Sequence, residues 1–267
     1  MKLDKRIGVC HICGQRDRLT YEHVPPKAAL NNQSAKLFSG EVILNSAKNT
    51  NTLPWETQGL RYIKFQQGKG FYSLCTSCNN LTGHWYGPAY TDFTWGIHLM
   101  LQKCDLDNVS GIHLTARSMN PLAVFKQIIS MFCSINPETV GADFRDFLLN
   151  RDSNQFNKSK FKVCAYIHRG VLERYCPITG ILKLPHNVSA VSEISIYPMG
   201  FILYFLTGKE GKFDGIDITD FADCDYNQPY SLDMSIPLYE CNILFPTDFR
   251  QKAEIIKCQE ENQKGVQ

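Results

Sequence analysis

Two pairs of cysteines, each with the spacing C-x-x-C, offer the clearest chemistry in this sequence. The first pair is Cys10 and Cys13, and the second is Cys75 and Cys78. Two thiolates from one tight turn can reach a single zinc ion, and two such pairs complete the tetrahedral set of a closed structural site. The alternative is four buried free thiols, but the paired spacing favours zinc. His11 could replace a cysteine ligand, although we expect it to be exposed on the turn.

An acid and a histidine, Glu22 and His23, lie between the two pairs, and Asn79 directly follows the second pair. Hydrolysis of a phosphodiester can use a histidine base and one divalent ion held by oxygen ligands. Neighbouring residues of a strand point to opposite faces, so Glu22 and His23 share one site only if the strand ends or bends there. The following Pro25-Pro26 favours such an end. The alternatives are a structural His23 and an Asn79 that only caps a helix.

The order of these residues resembles the HNH endonucleases with a ββα-metal core, in the subgroup whose core holds a zinc ion bound by four cysteines. The resemblance covers residues 7–90 and rests on the two cysteine pairs, on Glu22-His23-Val24-Pro25-Pro26 and on Asn79. It implies that His23 is the general base and that Glu22 and Asn79 bind a catalytic Mg²⁺ or Mn²⁺. It also implies that Cys10, Cys13, Cys75 and Cys78 bind the structural zinc.

Three features depart from that family's pattern. The acid is Glu22 where the family more often has aspartate, and the 61 residues between Cys13 and Cys75 imply an insertion. The family's last position, a histidine or lysine on the helix, has no clear match. Asn80 and His84 therefore stay as alternatives to Asn79 in the metal site.

Four basic residues near these motifs are candidates for contact with the phosphates of a substrate: Lys27, Arg61, Lys64 and Lys69. Lysine and arginine supply most of the charge that binds nucleic acid. Charged residues on a half-exposed strand can also be no more than its solvated face, and both interpretations stay open.

Composition limits the classes of protein to which the chain can belong. The chain has 267 residues, 43% of them hydrophobic, which is enough for substantial cores. Its net charge is only +2, so contact with nucleic acid would require a local basic patch. The eleven cysteines include seven scattered singly, a pattern typical of a reduced compartment. Because no apolar leader follows Met1 and no apolar run is long enough to span a membrane, we expect a cytoplasmic protein without membrane contact.

The distribution of apolar residues predicts an α+β fold. We expect an irregular insertion over 31–58, two strands joined as a hairpin over 61–65 and 70–74, and a helix that begins near Asn79. A helix is predicted over 121–132 and further helical structure over 143–149. From residue 160 an alternating pattern predicts an antiparallel sheet of about five strands. We place a zinc-containing, HNH-like ββα-metal domain at 1–110 and an α+β module at 111–267.

These features together predict a metal-dependent endonuclease that acts on nucleic acid, with DNA as the expected substrate. The C-terminal module would regulate it, bind a partner or mediate homo-oligomer formation, as expected of a nuclease in antiviral host defence or mobile-element biology. One competing hypothesis is a non-enzymatic, zinc-containing module that binds nucleic acid or protein. Another is a scaffold derived from a nuclease that has lost its catalytic metal.

Overall fold

A computed structural model describes residues 6–50, 52–106, 109–183, 187–208 and 211–264. The fold is mixed α+β with antiparallel sheets, as the sequence predicts. The elements of the N-terminal part are, in chain order, β1 (Ile7–Val9), β2 (Arg16–His23), β3 (Ala35–Leu37), α1 (Gly40–Thr50), β4 (Ile63–Phe65), β5 (Gly70–Cys75), α2 (Thr76–Trp85) and α3 (Gly87–Leu101).

Strands β1, β2 and β5 form an antiparallel sheet of three strands, with β2 in the middle. Helix α2 begins directly after β5, and Cys75 is its N-cap residue, with a sulfur that accepts a hydrogen bond from the backbone N–H of Cys78. Two antiparallel strands followed at once by a helix therefore lie around the cysteine pairs. Asn79 lies in the first part of that helix, as predicted.

The insertion between the cysteine pairs is more regular than its composition indicates. Strands β3 and β4 pair with each other in a separate two-stranded sheet, and helix α1 lies between them in sequence. The predicted hairpin of 61–65 with 70–74 is therefore wrong, because β5 pairs with β2 instead of with β4. The prediction of an irregular segment over 31–58 is also wrong, because β3 pairs with a strand more than twenty residues away and α1 forms a helix of eleven residues.

Helix α4 (Pro121–Ile135) is buried along its whole length and connects the two parts of the molecule. The side chain of Asn120 caps it by accepting a hydrogen bond from the backbone N–H of Ala123, and Pro121 occupies the first turn, where no N–H is needed. Helix α4 packs on α2, α3 and β5 and on the short helices α5 (Glu138–Ala142) and α6 (Arg145–Leu149). The predicted helix at 121–132 is thus confirmed and is three residues longer.

The C-terminal part contains a sheet with more strands than the five predicted. Seven strands are present among the described residues, and β12 pairs with β7 in parallel whereas the other pairs are antiparallel. The elements are β6 (Gly111–Met119), β7 (Phe161–Arg169), β8 (Arg174–Lys183), β9 (Asn187–Ile196), β10 (Met199–Phe205), β11 (Ile216–Asp217), β12 (Tyr230–Glu240) and the terminal helix α7 (Lys252–Lys264).

The hydrophobic core extends across both parts. A cluster of buried side chains runs from Leu74 on β5 through Phe125 on α4 to Phe201 on β10. The boundary expected near residue 110 falls between α3 and β6, and the division into two domains stays a prediction. None of the helices in the described ranges has the length and apolar character that crossing a membrane requires.

Candidate functional site

Four cysteines come together where β1, β5 and α2 meet. Cys10 and Cys13 lie in a turn closed by a hydrogen bond from Gly14 N–H to the Cys10 carbonyl, and Gly14 has a φ of 72° that suits glycine. The four sulfur atoms all lie within 4.8 Å of one another, and those of Cys13 and Cys75 are 3.9 Å apart. Tetrahedral zinc with bonds of about 2.3 Å separates its sulfur ligands by about 3.8 Å. The donor set fits a structural zinc ion.

Electrostatics at this cluster also favour a bound cation. The thiol of Cys78 donates a hydrogen bond that lowers the pKa of Cys10 to about 4, and the same hydrogen bond raises the pKa of Cys78. One thiolate therefore forms easily, and its charge opposes ionisation of the neighbouring thiols. A divalent cation removes that conflict, because each zinc-bound cysteine is a thiolate.

His11 lies apart from the four-cysteine cluster. It is half-buried, and its Nδ1 lies 3.0 Å from the carbonyl oxygen of Cys133 on α4. The backbone N–H of His11 donates to the Ser73 carbonyl, and Gly141 of α5 lies against the backbone carbonyl of His11. The expectation of an exposed His11 is wrong because α4 and α5 cover the turn. The residue attaches the first cysteine pair to the core.

Asn79 of α2 contacts the inner face of β2. Its Nδ2 donates to Thr20 Oγ1 at 2.9 Å and to the Tyr21 carbonyl at 3.3 Å, while Thr20 donates its own proton to the Leu74 carbonyl. Because carbonyl oxygens only accept, Nδ2 has to be the atom that faces the strand. The amide oxygen of Asn79 then points away from the strand and is available as a ligand. Asn80 and His84 are both exposed on α2.

Glu22 is buried on the same face of β2 as Thr20. Only 6% of its surface is exposed, and within the described ranges its carboxyl group has no hydrogen-bond or ion-pair partner. Burial raises the pKa of Glu22 to about 8. A carboxylate without a partner is expensive to bury, so the protonated, neutral form of Glu22 is favoured.

His23 ends β2 and lies on the opposite face from Glu22. Its Nε2 is 3.0 Å from the carbonyl oxygen of Gln67, which fixes Nε2 as the protonated nitrogen and leaves the Nδ1 lone pair as an acceptor in the neutral ring. Its ring meets Tyr21 edge-on with centroids 5.0 Å apart, and Tyr21 meets Tyr72 in the same way at 5.3 Å. The structure therefore brings Glu22 and Asn79 to one face of the strand and His23 to the other, at its end.

The predicted phosphate contacts fall into two groups. Lys27, Arg61 and Lys64 are exposed. Lys69 is half-buried, and its ammonium forms an ion pair of 2.5 Å with Glu173, near the start of the C-terminal sheet. Lys69 also forms part of the wall of a cleft of about 1120 Å³ between the insertion and that sheet, and His23, Glu22 and Asn79 do not line this cleft.

Sequence reasoning missed Asn31, which fixes the position of His23. Its side chain is 2% exposed and links two segments by donating from Nδ2 to the carbonyls of Pro25 and Lys69 and accepting the Lys69 N–H at Oδ1. The turn after His23 is thereby attached to the 66–69 loop whose Gln67 carbonyl binds the imidazole. An asparagine in a polar stretch gave no sign of this role.

Comparisons of the chain with protein-family models, with curated proteins and with solved structures found no match. The assignment of a function to this site therefore depends on its residues and their geometry alone.

Proposed function

We propose that the protein is a metal-dependent, HNH-like endonuclease that hydrolyses phosphodiester bonds in DNA. The observation that carries this proposal is the His23 ring, held by the Gln67 carbonyl so that Nδ1 can accept a proton. A general base has to present a lone pair in a fixed direction, and a backbone carbonyl on the opposite nitrogen fixes both tautomer and orientation.

In the proposed reaction, Nδ1 of His23 takes a proton from water while the water oxygen bonds to phosphorus and the bond to the leaving 3′ oxygen breaks. Glu22 and Asn79 would hold a Mg²⁺ or Mn²⁺ ion, which when bound would neutralise charge on the phosphate and stabilise the leaving oxygen. The buried carboxyl of Glu22, which has no partner in the described ranges, and the Asn79 amide, which uses its nitrogen to bind β2, support this role. Lys27, Arg61, Lys64 and Lys69 would contact substrate phosphates, and the C-terminal module would restrain the nuclease or bind a partner.

One observation favours the second candidate, a zinc-containing module that binds nucleic acid or protein without cleaving it. Glu22 and His23 are neighbours on β2, beyond the register shift at Thr20 and Tyr21, and face opposite sides of the sheet. Both reach one phosphate only if the substrate or the ion lies beyond the end of β2, next to His23. The non-enzymatic binding module does not require an ion or a substrate at the end of β2.

The deciding experiment is cleavage of supercoiled plasmid by the full chain with Mg²⁺ or Mn²⁺. His23→Ala should lower the rate by about 10²- to 10⁴-fold, the usual contribution of a general base. His113→Ala is the matched control, because His113 is exposed on β6, outside the N-terminal site. Zinc content is measured for each variant to show that the cysteine cluster is intact.

Nicking or linearisation that the wild type and His113→Ala share and His23→Ala loses would support the nuclease. Cleavage that survives in His23→Ala would exclude His23 as the base. Absence of cleavage in the wild type, together with DNA binding that His23→Ala retains, would favour the binding module.

A further inference from the structure

The two-stranded sheet of β3 and β4 carries two lysines directly opposite each other. Its register pairs Ala35 with Phe65, Lys36 with Lys64 and Leu37 with Ile63. Directly opposed residues have Cβ atoms about 4.5–5.5 Å apart on the same face. We call this pair of strands the lysine ribbon.

The charge on the lysine ribbon is not neutralised by acids within the part of the chain that the structure describes. Lys36 and Lys64 are both exposed, and neither forms an ion pair there. Like charges directly opposite each other destabilise a strand pair. The Lys36 ammonium lies 4.5 Å from the ring centroid of Tyr62 instead, and Tyr62 also contacts Phe38. The ribbon thus keeps two exposed charges on one face without an acidic partner.

Basic residues are concentrated in the whole insertion around the ribbon. Residues 31–70 contain five lysines and arginines and two glutamates, which gives a net charge of +3, whereas the complete chain has a net charge of +2. One of the five, Lys69, is paired with Glu173 from outside the insertion, which leaves a local charge of +2. A nearly neutral protein therefore has a local excess of basic residues of the kind that binds a polyanion.

The lysine ribbon leads directly into the loop that holds His23. Strand β4 ends at Phe65, and two residues later the Gln67 carbonyl accepts from the His23 ring. The backbone N–H of Gly68 donates to the Gln33 carbonyl, two residues before β3. Lys64 is three residues from Gln67, a separation of at most about 10 Å along an extended chain. A phosphate bound at the ribbon would lie within a few nucleotides of His23.

We infer that the lysine ribbon binds the phosphate backbone of duplex DNA, with Lys36 and Lys64 on neighbouring phosphates beside the His23 loop. This inference rests on the proposed function, since it assigns a substrate-binding arm to that site. Duplex DNA carries one negative charge per about 1.7 Å of helix axis, so it neutralises both opposed lysines at once. The repulsion between the two lysines is therefore relieved when DNA binds.

The test measures binding of a fluorescent DNA duplex over a range of salt concentrations, without added divalent ion and on a His23→Ala background. The double variant Lys36→Ala/Lys64→Ala should bind more weakly and should reduce the slope of log K against log salt by about 1.8, because about 0.9 counterion is released per phosphate contact. Lys103→Ala/Lys257→Ala is the matched control, since it removes the same charge from exposed positions outside the insertion.

A second variant separates binding from folding. Lys64→Glu places opposite charges across the strand pair, so it should preserve or raise thermal stability while it weakens DNA binding at least as much as Lys64→Ala does. A slope that the ribbon variants leave unchanged, or that the control pair lowers equally, would overturn the inference. Tighter ribbon-dependent binding to double-stranded RNA than to DNA would overturn the choice of DNA.

These binding measurements are independent of cleavage. Ribbon-dependent binding in a protein that never cuts plasmid would leave the inference standing and would exclude only the nuclease. Cleavage without ribbon-dependent binding would support the nuclease and overturn the inference about the lysine ribbon.

Discussion

Two buried glutamates, one in each part of the molecule, have opposite surroundings. Glu193 on β9 is completely buried and accepts four hydrogen bonds: from Arg174 Nε at 3.0 Å, from Arg174 Nη2 at 2.7 Å, from the Tyr166 hydroxyl at 2.5 Å and from the Thr247 N–H at 2.7 Å. Glu22 on β2 is almost as deeply buried, yet no partner for its carboxyl group is found in the described ranges. The first carboxylate is satisfied by the fold, and the second is not.

The difference shows two ways of burying an acid. Glu193 is charged and is paired by the side chains and backbone around it, whereas burial of Glu22 raises its pKa to about 8 and so favours the neutral acid. The sulfur atoms differ between the two parts as well, because four of them cluster in the N-terminal part with a geometry that fits zinc. Under the proposed function, Glu22 and the four cysteines would each be completed by a cation, and Glu193 would not.

The largest expected effect comes from breaking the cysteine cluster. Cys10→Ser should abolish tight zinc binding and strongly lower the melting temperature, because structural zinc contributes on the order of 10 kcal/mol of apparent folding free energy in small zinc domains. Zinc content by mass spectrometry of the metal and thermal unfolding by circular dichroism measure both consequences. Cys104→Ser, at an exposed position outside the cluster, should change neither. Equal melting temperatures for the two variants would mean that the cluster adds nothing to stability.

The second effect tests the partnered glutamate. Glu193→Ala leaves the guanidinium of Arg174 buried without its counter-charge and should cost about 3–5 kcal/mol of unfolding free energy. Glu22→Gln replaces a mostly protonated carboxyl group with an amide of the same shape and should be nearly neutral in metal-free buffer at pH 7. Urea unfolding of both variants measures the difference. A larger loss for Glu22→Gln than for Glu193→Ala would mean that Glu22 has an unseen partner and is structural.

The sequence predicts what depends on local spacing and misses what depends on distant partners. The two C-x-x-C turns, helix α4 and the position of Asn79 follow from residues within a few positions of one another. The pairing of β5 with β2 instead of with β4 required knowledge of competing strands far along the chain. Arg174 and Glu193 are 19 residues apart on neighbouring strands, and no local sequence pattern predicts that they form a pair. The lysine ribbon became visible only when its register was known.

The sequence identifies Glu22 as a candidate from its place beside His23. It does not show that the carboxyl group has no partner in the described ranges. An adjacent acid and histidine suggest a shared site, and only the strand geometry shows that they face opposite sides. The same geometry places Glu22 on the face of β2 that carries Thr20, and burial there raises the pKa of its carboxyl group.

The smallest effect, and the sharpest test of the comparison, is the pH dependence of stability without metal. The pKa of Glu22 is about 8 in the folded protein and about 4.5 when unfolded. Between these values the folded state binds more protons, so stability is highest below pH 4.5 and falls as the pH rises towards 8. At about 1.36 kcal/mol per pH unit, the loss from pH 5.5 to 7.5 would be about 2–3 kcal/mol.

The difference in unfolding free energy between wild type and Glu22→Gln isolates this contribution, because other titrating groups are shared by both proteins. Burial lowers the pKa of His168 to about 4, for example, so this residue makes both proteins less stable as the pH falls. Added Mg²⁺ should restore wild-type stability more at pH 7.5 than at pH 5.5, since the ion has to displace a proton from Glu22 at the lower pH. It should leave Glu22→Gln unchanged at both. Parallel stability curves for the two proteins would show that Glu22 is compensated within the fold as fully as Glu193, and the contrast between the two halves would disappear.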